Sequence, residues 1–171
     1  MKALKITGLI CLFLFTSVCY AQNNVDAITQ GVNSKTFSFK PTQITSNSKE
    51  GRYSADNQLG SIDLSGYIFH LSVNPDSIDI YLPSMPIYVK NTQMPNLGYS
   101  KFVSTKFKYS SNKSKNGVWN ISIDCQDNPS AKPYRIRLAI NKLGEVVTQV
   151  DKGYGDVVTM HGNLTDINTK S

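Results

Sequence analysis

From Phe37 to Leu164 the chain repeatedly alternates oily and polar side chains one for one, and this period of two constrains its fold more than any other feature. Trp119, Ile121, Ile123 and Cys125 are interleaved with Asn120, Ser122 and Asp124. Tyr134, Ile136, Leu138 and Ile140 are interleaved in the same way with Arg135, Arg137 and Ala139. On a β-strand successive side chains point to opposite faces, so such a segment has one dry and one wet face. An α-helix would scatter the same residues around its axis. Tyr67, Phe69, Leu71 and Val73 form another such series, and Ile78, Ile80 and Leu82 a further one. Val103-Thr105-Phe107-Tyr109 reads as a single strand with Ser104, Lys106 and Lys108 on its wet side. Val146–Val150 and Val157–Leu164 complete the set.

Turn chemistry separates these runs. Asn74-Pro75-Asp76, Asn116-Gly117, Asn141-Lys142-Leu143-Gly144 and Asp151-Lys152-Gly153 supply the preset φ of proline, the side-chain acceptors of Asn and Asp, and glycines that tolerate positive φ. About eight strands at near-regular spacing, with no long helical pattern between them, predict an all-β fold: an antiparallel meander curled into a barrel or sandwich. Ahead of it, Val25, Ile28 and Val32 have helical spacing, which allows a short N-terminal helical segment of one or two turns.

Pro83 is expected to stop the run from Ile78, because proline cannot donate to a ladder. The stretch from Pro83 to Ser100 then reads as an irregular loop carrying Met85, Tyr88, Met94 and Tyr99, the candidate ligand-binding residues. The plainer reading is a crossing connection that closes one end of the sheet.

The first residues explain where such a domain works. Lys2 and Lys5 precede an apolar run from Ile6 to Phe15, and small residues lead to a cleavage point after Ala21. This is the anatomy of a secretory signal peptide, and the run falls short of the roughly 20 apolar residues that span a bilayer. Residues 1–21 are therefore expected to leave, and residues 22–171 to form one β domain with no transmembrane span. Lipoprotein anchoring at Cys19 is the weaker alternative, since bulky Val18 precedes that cysteine. Export to the periplasm or envelope follows. Only Cys125 would remain, so no internal disulfide is available.

The precursor carries a net charge of +6. Losing Lys2 and Lys5 brings it to about +4, too mild a surplus to suggest a nucleic-acid partner. The one concentration of charge is a candidate basic patch: Lys106, Lys108, Arg135 and Arg137 share a wet face if their strands are neighbours. Such a patch suits an anionic glycan, a lipid headgroup or an acidic partner, and the plainer reading is a solvated face partly neutralised by Asp124.

The stretch Gly66-Tyr-Ile-Phe-His-Leu-Ser-Val-Asn-Pro-Asp-Ser-Ile-Asp-Ile-Tyr-Leu-Pro83 resembles a strand, acidic turn, strand and Leu-Pro signature. That signature belongs to the domain-of-unknown-function 4251 family of exported Bacteroidetes proteins. The likeness continues through Gly98–Phe102, Trp119–Ile123, Tyr134–Gly144 and His161-Gly162-Asn163-Leu164. It implies a small exported β domain without an assigned activity, and it supplies no site residues. The chain departs from the family at Ser84-Met85-Pro86, where an aromatic pair and a glycine are usual, so no role of those aromatics carries over.

No catalytic constellation stands out. His70 and His161 are the two histidines, without metal-ligand spacing, so neither a metal nor another cofactor is expected. No serine sits in a strained nucleophile turn, and the pairs Asp76/Asp79 and Asp124/Asp127 fall at turns or on wet strand positions. The leading expectation is a non-enzymatic binding domain for an unknown small ligand or an envelope protein or glycan. A structural module of an envelope assembly comes second and a hydrolase third.

Overall fold

The computed structural model describes residues 24–46, 61–87, 96–130, 133–153 and 157–166. The expected signal peptide with Cys11 and Cys19, the connection at residues 47–60, and Tyr88 and Met94 lie outside the described residues. Within them, one helix (α1, residues 24–34) is followed by ten strands. These are β1 (Phe37–Ser46), β2 (Ile62–Asp63), β3 (His70–Val73), β4 (Ile78–Ile87), β5 (Asn96–Ser104), β6 (Phe107–Lys113), β7 (Trp119–Cys125), β8 (Tyr134–Ile140), β9 (Glu145–Asp151) and β10 (Val157–Thr165). Nine of them form one antiparallel path, β5-β4-β3-β1-β10-β9-β8-β7-β6, while β2 pairs only with β1. The sheet curls into a half-barrel.

The curl follows from one connection. β5 and β6 are consecutive in the chain yet stand at opposite ends of the path. Eight gaps of about 4.8 Å would hold the two edges of a flat sheet about 38 Å apart. Three residue steps, from Ser104 to Phe107, reach at most about 10 Å. The sheet must therefore bend until its edges approach at that corner. Asp127 holds the corner: its carboxylate accepts from the Ser104 hydroxyl (2.5 Å), the Thr105 amide (2.8 Å) and hydroxyl (3.2 Å), and the Lys106 amide (3.0 Å). The Gln126 amide donates to the Lys106 carbonyl (2.8 Å), and Phe102 of β5 meets the ring of Tyr134 edge-on.

This corner corrects the expected strand from Val103 to Tyr109. The pairing stops at Ser104 and resumes at Phe107, and the two intervening residues change the phase of alternation. Val103 is 58% exposed and Ser104 is fully buried, the reverse of the expectation, while Phe107 and Tyr109 do face inward. The hydroxyl of Ser104 is buried because a carboxylate waits for it.

Pro83 does not end its strand either. β4 runs on to Ile87, paired with β5 as far as Asn96, with a register shift between Pro83 and Pro86. β3 pairs β4 only up to Tyr81, so beyond it the described partner of β4 lies on one side alone. Prolines are tolerated where one side of a strand has no ladder and at bulges. The described parts of the expected loop from Pro83 to Ser100, residues 83–87 and 96–100, are thus paired antiparallel strand.

The inner face is filled. Phe37 and Phe39 of β1, Ile80 and Leu82 of β4, Ile123 of β7, Ile136 of β8 and Met160 of β10 are all at most 2% exposed. Ile28 and Val32 of α1 pack on the same cluster, so the helix covers the concavity and stays folded by tertiary contact despite its length. It ends in a left-handed residue, Lys35 (φ 54), with Thr36 N–H donating to Gly31 O (2.8 Å) and Lys35 N–H to Val32 O (3.3 Å). The Tyr109 hydroxyl donates to the same Val32 carbonyl (3.0 Å), which ties α1 to β6.

Gly162 explains the glycine in the His161–Leu164 stretch. It faces Pro41 across the β1–β10 ladder at a register shift. A Cβ there would stand 2.1 Å from the Lys40 carbonyl oxygen and 2.8 Å from the Phe39 ring. β1 can approach only a residue with no side chain.

Candidate functional site

With the inner face given over to core, the groups able to meet a partner lie on the outer face. The strand register arranges the outer residues of β6 to β9 in rows. The first runs Lys108, Asp124, Arg135, Asp151. Its signs alternate, and Arg135 lies between two carboxylates, 3.5 Å from Asp124 and 3.9 Å from Asp151. Both pairs are solvent-exposed, so their net contribution to stability is small. Their effect is to cancel charge locally. Lys106 sits at the β5–β6 corner, exposed, with its amide committed to Asp127.

The second row runs Ser110, Ser122, Arg137, Gln149. Here the cation has only neutral neighbours across the strands, and among the described residues Arg137 makes no ion pair. The third row, Asn112, Asn120, Ala139, Val147, His161, is low and polar at its ends. The expected basic patch of four cations is therefore divided: Arg135 is neutralised, Lys108 stands beside Asp124, Lys106 is at the corner, and Arg137 remains.

A groove of about 430 Å³ lies over the second and third rows. Its rim carries Ser110, Asn112, Asn120, Arg137 and Gln149, and its floor includes Ala139 and Val147. Because Ala139 and Val147 have short side chains, the sheet surface dips between polar neighbours. A second groove of about 550 Å³ shares Ala139 and Val147 and continues to Glu145, His161 and Asn163. Together they form an open polar trough across β6 to β10. The sequence placed Asn120 and Ser122 on this face but could not identify the trough, which depends on the strands being in register.

The candidate loop residues come together only in part. Met85 lies in β4, and Tyr99 is in β5 and 61% exposed. Tyr99 meets Tyr81 edge-on at 5.4 Å, and Lys101 Nζ stands 5.1 Å from the Tyr81 ring centre. Tyr81 in turn touches Phe69 and His70, and Tyr67 stacks on Phe69. Sequence reading missed this aromatic group because Tyr81 lies on the wet side of a strand assigned by its oily one.

His70 is engaged on both ring nitrogens, Nδ1 with the Ile68 carbonyl (3.2 Å) and Nε2 with Asp79 (3.2 Å). This suits a structural histidine better than a general base, which needs a free nitrogen aimed at a proton. His161 is exposed in the trough. Among the described residues no three His, Cys, Asp or Glu side chains gather as a metal site. Cys125 is buried, and burial pushes its thiol up to about 11, so it is not a ready nucleophile. The neighbouring Tyr134 hydroxyl is pushed up to about 12 by the same cause. No described helix is long and apolar enough to cross a membrane.

A family model described as a domain of unknown function, DUF4251, matches residues 20–164. The fold is similar to that of a DUF4251 family protein from Bacteroides eggerthii known from a crystal structure. The TM-score is 0.60 at 14% identity, over 84% of this chain and 91% of that one. No curated protein matches the chain.

Proposed function

Since this chain belongs to the DUF4251 family, whose function is unknown, we propose that it is a non-enzymatic binding domain of the cell envelope that engages an envelope glycan on the outer face of its half-barrel. The observation that carries this reading is the division of labour between the two faces. The inner face is occupied by core side chains and α1, whereas the outer face of β6 to β10 carries an open trough lined by Asn, Ser, Gln and Arg, with Glu145 and His161 towards β10. Such side chains offer paired donors and acceptors to hydroxyl groups, and a trough open along its length admits a chain longer than one sugar. The apolar start at Ile6–Phe15 supports export, with Gln22 as the first residue of the mature chain.

A second reading has its own observation. Tyr99 and Val103 are 61% and 58% exposed on β5, whose outer edge has no partner strand among the described residues. Exposed aromatic and apolar groups on an unpaired edge suit a protein partner in an envelope assembly.

Fractionation of cells producing the full chain, followed by screening on an array of envelope polysaccharides, tests both readings. The expected result is a periplasmic protein beginning at Gln22 that is retained on glycan. A chain that keeps Met1 and stays in the cytoplasm overturns the export reading. Export without retention on any polysaccharide, together with a reproducible protein partner lost on replacing Tyr99, favours the edge of β5 instead.

A further inference from the structure

Resting on the glycan reading above, we propose that the trough selects acidic polysaccharides, and that Arg137 is the residue that reads their carboxylates.

The argument is a contrast between two arginines one row apart on the same strand and the same face. Arg135 faces Asp124 on β7 and Asp151 on β9, and it has an acidic oxygen on each side at 3.5 and 3.9 Å. Any anion approaching it must displace or repel two carboxylates. Arg137 occupies the equivalent place between Ser122 and Gln149, exposed, with no carboxylate opposite it on either neighbouring strand. A guanidinium offers five fixed donors in a planar fork that matches a carboxylate in two parallel hydrogen bonds. On the first row that capacity is used within the protein. On the second it points into the groove of about 430 Å³.

The surroundings fix the class of ligand beyond its charge. Ser110, Asn112, Asn120 and Gln149 share the groove with Arg137 and are all uncharged. A lone cation among neutral amides and hydroxyls fits a molecule whose units each carry at most one carboxylate beside several hydroxyls, which is a uronate-containing glycan. A densely acidic peptide would meet one compensated row beside it and gain little. The low floor at Ala139 and Val147 gives a sugar ring a small apolar surface to rest on. Beyond it the trough passes Glu145, whose carboxylate accepts from the Asn141 amide (2.6 Å), so an acidic sugar is read at the Arg137 end.

The test is affinity measurement on the full chain against three polyuronates (polygalacturonate, polyguluronate and polymannuronate), with methyl-esterified polygalacturonate and polyglutamate as comparisons. At least one polyuronate is expected to bind. Esterification, which keeps the sugar and removes the charge, is expected to weaken binding about tenfold. Arg137→Gln should weaken binding of the acid about tenfold and leave the ester unaffected, so that acid and ester become equal. Arg135→Gln, which removes an already compensated charge, should change affinity less than twofold. Equal binding of acid and ester by the unaltered chain overturns this inference while the glycan reading stands. Polyglutamate binding as tightly as the polyuronates overturns the choice of glycan. Binding of no polyuronate at millimolar concentration overturns the inference, and retention on neutral glycans in the same assay then shows whether the broader reading survives.

Discussion

Removing the carboxylate of Asp127 should loosen the corner on which the half-barrel depends. Asp127 accepts from the Ser104 hydroxyl, from the Thr105 amide and hydroxyl, and from the Lys106 amide. The hydrogen bond from Ser104, helped by the two amides, holds the acid at about 2 against an ordinary 3.8. A drop of about 1.8 at about 1.36 kcal/mol per pH unit sets a ceiling of about 2.4 kcal/mol on the preference for the ionised form. Solvent reaches this carboxylate, so screening reduces the contribution to about 1 kcal/mol. The folded state holds the acid below its unfolded value. The stabilisation is therefore complete above about pH 4 and disappears as pH falls towards about 2. Asp127→Asn keeps the shape and loses the charge, and it should cost about 1 kcal/mol at pH 7. Asp127→Ala also leaves the buried Ser104 hydroxyl only its long contact to the Lys106 carbonyl (3.4 Å) and should cost about 2 kcal/mol. Urea unfolding followed by Trp119 fluorescence measures both, at pH 7 and again near pH 2.5. The gap between the natural chain and Asp127→Asn should narrow at the lower pH. An asparagine variant as stable as the natural chain at pH 7, or a gap that does not change with pH, refutes the account of the corner.

Three other outcomes follow from particular residues. Gly162→Ala would press a methyl group against the Lys40 carbonyl and should destabilise by about 3 kcal/mol in the same urea assay, since the neighbouring strand must move. Thr148→Val should stabilise by about 1 kcal/mol, because the buried Thr148 hydroxyl has no hydrogen-bond partner among the described residues. Cys125, its thiol held at about 11 by burial, should resist a thiol reagent at pH 8 in the folded protein and react promptly in urea.

The strands β7, β8 and β9 were legible in the sequence because nothing interrupts their alternation and each hairpin carries its own turn residues. The strand expected from Tyr67 begins only at His70, leaving Tyr67 41% exposed. Strand identity failed at two further places, both governed by partners far away in the chain. At Thr105–Lys106 the phase changes because Asp127 supplies acceptors from β7's far end, which no local pattern announces. At Pro83 the strand continues because β3 is too short to need a donor there. The candidate site was legible in its residues and illegible in its charge. Arg135 and Arg137 look equivalent in sequence, and only the cross-strand register shows that one faces two acids and the other none.

The most direct measurement is a map of backbone amide chemical shifts as polygalacturonate is titrated into the protein. Binding on the outer face predicts changes gathered at Ser110, Asn120, Ser122, Arg137 and Gln149, with the amides of the buried β1 and β4 positions unmoved. Changes centred on the core residues, or confined to Tyr81, Tyr99 and Lys101, would contradict it.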